Sequence, residues 1–233
     1  MSMNGLTTAN LETMTIEERI LLIRQSLPTP VRLIAVSKQV SSQTIRLAYK
    51  AGIRDFGENR LQEAIAKQQE LEDLPGITWH FIGHLQSNKV RKTIEHFQWI
   101  HSVDRLTLAQ RIDQLVAELS HNPNLLLQVK LVPDPHKSGW SVPELMMDLP
   151  KLDQCHHLRI QGLMTICPLG LTPDQIQDLF QRTKDLANSI RSQPWQNLTM
   201  TELSMGMSGD YTQAIQANTT MVRLGQLLFG KRP

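Results

Sequence analysis

Hydrophobic positions along this chain alternate between two textures. Short apolar runs, rich in Val, Ile and Leu, occupy 31–38, 55–59, 78–84, 99–103, 125–131, 159–166, 198–205 and 221–229. Between them, at 42–51, 60–72, 87–97, 105–119, 142–152, 173–191 and 210–217, apolar residues recur three and four apart among polar ones. The first texture reads as strand and the second as amphipathic helix. The run Leu125-Leu126-Leu127-Gln128-Val129 is apolar without alternation, as expected of a strand covered on both faces. Ahead of the first run, Thr15 and Glu18 have the spacing of a capping box, and Ile16, Ile20, Ile23 and Leu27 form a stripe that Pro28 and Pro30 terminate. Strands alternating with helices predict an α/β fold, a parallel (β/α)8 TIM barrel with an extra N-terminal helix. A doubly wound open sheet is the alternative. No Pro/Gly/Ser-rich linker divides the chain, so the expected organisation is a flexible polar segment over 1–14 and one barrel domain over 15–233.

Composition narrows the class. The 233 residues carry 24 Lys and Arg against 22 Asp and Glu, a net charge of +2. That near balance argues against nucleic acid as the main partner, which calls for a concentrated basic excess. Cys155 and Cys167 are too few for a disulfide scaffold and lack zinc-type spacing. A reducing, cytoplasmic location is the natural expectation. The first residues lack a basic segment followed by an apolar run, and no stretch approaches the roughly 20 apolar residues of a membrane span.

Barrels of this type do chemistry at the carboxyl ends of their strands. Lys38 closes the first run. Partial desolvation there would lower the pKa of its amine and make it a Schiff-base nucleophile; the plainer reading is a rim lysine reaching water. The segment Ser204-Met205-Gly206-Met207-Ser208-Gly209-Asp210 follows the seventh run, and Arg223-Leu224-Gly225 lies in the eighth. Hydroxyls and glycine amides ahead of a helix form an anion cradle, at the position where barrels often bind phosphate; the plainer reading is a capped turn. A lysine facing a phosphate cradle suits a phosphorylated aldehyde, and pyridoxal phosphate has both groups. Arg223 would then face its pyridine nitrogen as a hydrogen-bond donor, making a weaker electron sink than an acidic partner would. His80 and His84 would share one strand face without a third metal ligand. His84 is either an acid–base group or a rim residue, and Cys155-His156-His157 reads as a polar helix end.

These residues belong to longer stretches that carry a resemblance. They include Leu33-Ile34-Ala35-Val36-Ser37-Lys38, Phe56-Gly57-Glu58-Asn59-Arg60, and Trp79-His80-Phe81-Ile82-Gly83-His84-Leu85-Gln86-Ser87-Asn88-Lys89. Lys137-Ser138-Gly139, Leu203 through Asp210, and Val222-Arg223-Leu224-Gly225 follow. From about residue 31 onward the chain resembles the pyridoxal phosphate homeostasis proteins, the YggS/PROSC family. The resemblance implies a fold-type III barrel like the N-terminal domain of alanine racemase. It implies that Lys38 holds the cofactor as a Schiff base, with Asn59, Ser204, Gly206, Arg223 and Gly225 around it. Lys130 stands where the family often has Asn, which would place an extra cation at the mouth.

Two functions share this site. A racemase needs a second base opposite the lysine, in related enzymes a tyrosine from another domain; a carrier does not. Tyr49 and Tyr211 are the only tyrosines, the first mid-helix and the second beside the cradle. The eighth run ends close to the last residue, leaving no space for a lid domain. The expectation is a non-catalytic, monomeric carrier that holds pyridoxal phosphate in a solvent-open site, with PLP-dependent apo-enzymes as possible recipients and no resident metal.

Overall fold

Alternate residues of each apolar run face two different cores, and this division builds the molecule. The computed structural model describes residues 13–134 and 137–230. Its strands are β1 (Arg32–Val36), β2 (Asp55–Glu58), β3 (Thr78–Phe81), β4 (Trp99–Val103), β5 (Asn124–Lys130), the two-residue β6 (Trp140–Ser141), β7 (Arg159–Met164), β8 (Leu198–Ser204) and β9 (Met221–Leu224). Helices α1 (Ile16–Ser26), α2 (Ser42–Lys50), α3 (Leu61–Glu70), α4 (Val90–His96), α5 (Leu106–Val116), α6 (Val142–Asp153), α7 (Pro173–Arg191), α8 (Tyr211–Gln216) and α9 (Gln226–Phe229) alternate with them.

All pairings are parallel. The order β4-β3-β2-β1-β9-β8-β7-β5 is closed by β4 on β5, with Trp99 opposite Asn124 and Ile100 opposite Leu125. Closure makes this a barrel and excludes the open doubly wound sheet, which would leave two edges. Between barrel and helices lies a large apolar layer that takes Leu33, Ala35, Phe56, Phe81, Leu125, Leu127, Leu163, Val222 and Leu224 from the strands. The barrel interior is a much smaller cluster of Ile34, Trp99, Leu126, Met164 and Met221. Polar inward residues occupy the remaining interior, and they make the site described below.

Local sequence accounts for the helix starts. Thr15 caps α1 with the reciprocal Glu18 bond of a capping box; Ser141 with Glu144 and Thr172 with Gln175 repeat the device at α6 and α7. Three boundaries differ from the sequence reading. The third run leaves the sheet after Phe81, because Gly83 passes against the backbone of Asn59, where an added Cβ would sit 2.2 Å from the carbonyl oxygen. The last run splits into β9 and α9, since its apolar residues Leu227, Leu228 and Phe229 form a helical turn closed by bonds from Leu228 and Phe229 to the Gly225 carbonyl. The stretch 87–97 opens as a 3-10 turn, Ser87–Lys89, before α4. The flexible segment expected over 1–14 lies outside the described residues up to 12; Met14 packs against the core. Among the described residues no helix is long and apolar enough to cross a membrane.

The interior cluster tolerates little loss because few apolar side chains share that space. Leu126→Ala is expected to lower stability by about 2–5 kcal/mol through lost transfer energy and a residual cavity, read as the change in urea midpoint.

Candidate functional site

The carboxyl ends of β1, β2 and β9 and the loops after β3, β7 and β8 surround a cavity of about 410 Å³. This is within the roughly 300–1,000 Å³ usual for small-ligand pockets. Its polar lining includes Lys38, Asn59, Ser208 and Arg223, with Gly209 and Gly225 beside them. Val36, Ile82, Ile166 and Met207 supply apolar wall.

Lys38 stands on a tight turn after β1, and both of its neighbours are anchored. The Lys67 amine donates to the Ser37 carbonyl at 2.7 Å, and the Ser37 hydroxyl donates to Glu58 Oε1 at 2.7 Å. On the other side the Gln39 amide, at φ 59°, donates to Glu63 Oε1 at 2.5 Å. Lys67 joins both carboxylates, at 2.8 Å from Glu58 and 2.6 Å from Glu63. Burial pushes the Glu58 carboxyl above the usual carboxylate range, with Lys67 and Ser37 pulling the other way. Its second oxygen, Oε2, is buried without a hydrogen-bond partner among the described residues. The buried cation and carboxylates therefore fix the turn that carries Lys38.

Arg223 forms the floor. It is 4% exposed. Its Nη1 donates to Ser204 Oγ at 2.6 Å and its Nη2 to the Thr165 carbonyl at 2.9 Å. Burial lowers its pKa to about 10, with Asp210 and Cys167 acting in the opposite sense, so it is cationic at neutral pH. Burial and then Asp210 push the Cys167 thiol up to about 12, which leaves it unreactive as a thiolate.

Of the residues singled out from sequence, the fold brings Lys38, Asn59, Arg223 and Gly225 to one cavity. Ser204 and Gly206 lie behind it. The Ser204 hydroxyl is turned into the barrel toward Arg223 and His101. Gly206, at φ +90°, lets α8 approach: a Cβ there would meet Ala214 Cβ at 2.6 Å and Tyr211 Cα at 2.9 Å. The residues of the same segment that line the cavity are Met207, Ser208 and Gly209, with Gly225 and Gln226 lining it next to them, where the Leu227 amide lies 3.4 Å from Ser208 Oγ. Only the three-dimensional direction of each residue could separate these from Ser204 and Gly206.

Two further expectations are displaced, the shared strand face of His80 and His84 and the place of Lys130. His80 and His84 do not share a strand face, because β3 ends at Phe81. His80 is buried inside the barrel, whereas the His84 side chain is 57% exposed at the rim, 3.2 Å from Asp104 Oδ2. Lys130 lines a neighbouring groove of about 610 Å³ with Glu144 and Arg182 and is not among the residues lining the mouth. Tyr49 donates to the Pro75 carbonyl, and Tyr211 is buried against Gly206; neither lines the cavity. The His157 amide donates to Asp113, and His156 lies against Asn197. Among the described residues no three His, Cys, Asp or Glu side chains gather as a metal site. A further cavity of about 470 Å³ opens at the amino ends of β1 and β2, lined by Arg24, Arg32, Arg54 and Asp55. It lies at the opposite face from the one where barrels place their chemistry.

A feature unread in the sequence runs between these two faces. His101 Nδ1 is 2.9 Å from Ser204 Oγ, His101 Nε2 is 2.9 Å from His80 Nδ1, and His80 Nε2 is 2.9 Å from Asp55 Oδ1. Burial holds both imidazoles below the ordinary histidine value. Asp55 opposes this at His80, while His80 and Arg223 add to it at His101.

Two expected outcomes follow. Lys67→Ala leaves Glu58 without its buried partner and should cost about 3–5 kcal/mol; urea unfolding of Lys67→Ala beside a Lys67→Met/Glu58→Leu double variant checks it, and recovery in the double variant assigns the loss to the orphaned charge. The buried histidines also predict acid sensitivity. The unfolded chain protonates both near their ordinary value, whereas the folded chain holds both neutral to lower pH. Stability is therefore complete above about pH 6.5 and falls as pH drops below it, by up to about 2.7 kcal/mol per pH unit while both rings stay neutral. Denaturant midpoints between about pH 7 and 5 measure the slope, and a flat profile contradicts it.

Comparison with known proteins adds to this geometry. The family profile described as alanine racemase, N-terminal domain, matches residues 12–233. A protein of Synechocystis sp. named pyridoxal phosphate homeostasis protein is 53% identical over 207 residues, covering 89% of this chain and 94% of that one. The solved structure of PipY from Synechococcus elongatus with PLP bound has a TM-score of 0.89 and 51% identity, covering 93% of this chain and all of that one. Alanine racemase of Clostridium difficile superposes with a TM-score of 0.73 at 14% identity over 94% of this chain and 57% of its own, a likeness of fold alone.

Proposed function

Because this chain belongs to the family of pyridoxal phosphate homeostasis proteins, built on the alanine racemase N-terminal domain fold, we propose that it binds pyridoxal phosphate at the barrel mouth through Lys38 and holds it for release, without turning over a substrate. The observation that carries the reading is the convergence of Lys38, Arg223 and the Ser208–Gly209 loop on one cavity of about 410 Å³. When bound, the cofactor supplies an aldehyde that a lysine amine can take up reversibly.

Each element of the lining has its own role. Lys38 supplies the amine on its anchored turn. Arg223, cationic and already hydrogen-bonded through Nη1 and Nη2, offers a donor rather than an acid at the floor. The backbone around Ser208 and Gly209, with Gly225 in the neighbouring loop, suits an oxyanion. Asn59 is held at the wall by the close passage of Gly83. Ser204 and Gly206 support this lining from behind. Ile82 and Ile166 give a flat ring apolar surface to lie against.

The carrier reading is favoured over a racemase by the placement of the two tyrosines. Tyr49 is bonded to Pro75, and Tyr211 is packed under the loop, so neither offers a second base across the cavity from Lys38. His84, at the rim on Asp104, is a positioned polar group outside the lining. On this reading the protein acts as a cytoplasmic monomer with exchange of cofactor as its output, and apo-enzymes that use the cofactor are its recipients.

Borohydride reduction of protein incubated with pyridoxal phosphate, followed by peptide mass mapping, is expected to find the reduced cofactor on Lys38. Lys38→Ala should lose that adduct and its visible absorption while remaining folded by circular dichroism, since Lys38 lies half-buried on the turn after β1. Labelling spread over surface lysines and unchanged in Lys38→Ala would refute the site; amino-acid turnover that disappears in Lys38→Ala would refute the carrier.

A further inference from the structure

The line of polar side chains through the barrel has a direction that can be assigned from either end. A guanidinium only donates, so Ser204 Oγ accepts from Arg223 Nη1 at 2.6 Å. The Ser204 hydroxyl hydrogen then has His101 Nδ1, at 2.9 Å, as its acceptor. An imidazole that accepts at Nδ1 and is neutral carries its hydrogen on Nε2, which points at His80 Nδ1, 2.9 Å away. By the same rule His80 carries its hydrogen on Nε2 and donates to Asp55 Oδ1 at 2.9 Å. Starting instead from Asp55, a carboxylate that only accepts, the same assignment runs back to Ser204. The two ends agree, and they are of opposite charge.

The rings are also held against rotation. His80 stacks on Trp99 at 5.9 Å with an interplanar angle of 12°, and Trp99 meets His101 edge-on at 6.1 Å. The charged and titratable groups facing His80 are His101, Asp55 and Arg32; those facing His101 are His80, Arg223 and Arg32. Arg32 closes the far end, 3.9 Å from Asp55 and with its guanidinium 5.1 Å from the Trp99 ring.

We propose that His80 and His101 are positioning residues for Arg223, and that the one-way file Arg223–Ser204–His101–His80–Asp55 fixes which N–H groups the guanidinium shows to the mouth. Nη1 is committed to Ser204 and Nη2 to Thr165, so the same edge always faces the cavity. That edge can only donate, and it therefore selects a ligand atom that accepts, such as an unprotonated ring nitrogen. Asp55, at the opposite end of the barrel, stabilises the direction of the whole file through its charge. The functional meaning rests on the cofactor reading above; the direction of the file does not.

The test separates the two. In unloaded protein labelled with nitrogen-15 histidine, NMR should find both His80 and His101 as the Nε2–H tautomer, without titration between about pH 6 and 8. Asp55→Asn preserves shape but replaces an obligate acceptor with an amide that can also donate. His80 in that variant should show mixed tautomers. After loading with pyridoxal phosphate, the bound chromophore should have a shifted pH profile, with the dissociation constant raised about 3- to 10-fold, as for loss of one hydrogen bond. His101→Phe, which removes the Ser204 acceptor, should give the same direction of change. Either ring found as the Nδ1–H tautomer, or titrating in that pH range, overturns the file. Wild-type tautomers and an unchanged chromophore in Asp55→Asn overturn the coupling. Failure of the parent protein to take up pyridoxal phosphate, with the tautomers as assigned, overturns the cofactor reading and supports the file.

Discussion

A guanidinium in the middle of a closed barrel must be accommodated before the rest of the interior can form. Arg223 sits between Val222 and Leu224, whose side chains belong to the outer apolar layer, so the alternation of β9 directs the charge inward. An isolated ion there would be strongly disfavoured. The barrel answers with a carbonyl from Thr165, a hydroxyl from Ser204 and a relay of two neutral imidazoles ending on a carboxylate. The composition of the interior follows from that arrangement. Several strands give an inward position to a polar group, and the apolar cluster left for the inside is small.

The Lys67 cluster does the same for the neighbouring strand end. It too buries charge, and its hydrogen bonds end on the backbone and hydroxyl of Ser37 and on the amide of Gln39. Both polar assemblies lie beneath the mouth, and each controls one charged residue of the lining. The apolar layer outside supplies most of the fold's cohesion, while these two networks determine the geometry at its open end.

Most of the fold was legible in the sequence because helix and strand periods are strong where one face meets a thick apolar layer. The run 173–191, read as helix from its apolar spacing, is α7 over the same residues, and the structure adds the Thr172–Gln175 capping box at its start. Legibility failed where the same side chains serve two conformations. Leu227 and Leu228 continue the apolar run of β9 but pack as a helical turn, and period alone cannot distinguish these in so short a stretch. The site was legible to the level of segments. Lys38, Asn59, Arg223 and Gly225 were identifiable as strand-end residues, but Ser204 and Ser208 differ only in where the chain points them. The histidine relay was not readable at all, because Asp55, His80 and His101 come from three separate segments that become neighbours only as β2, β3 and β4 of the sheet, and Ser204 reaches His101 from β8 across the closed barrel.

Anchoring on both sides of Lys38 has a kinetic corollary. With Ser37 and Gln39 tied to Glu58, Glu63 and Lys67, the turn itself has little freedom, and what moves is the four-carbon tether of one side chain. Rotamer changes of such a tether occur on the picosecond to nanosecond scale, far faster than opening of loops or domains. On the proposed reading, residence time at the mouth would be governed by the bond made and broken at the Lys38 amine and by the grip of the Ser208–Gly209 loop.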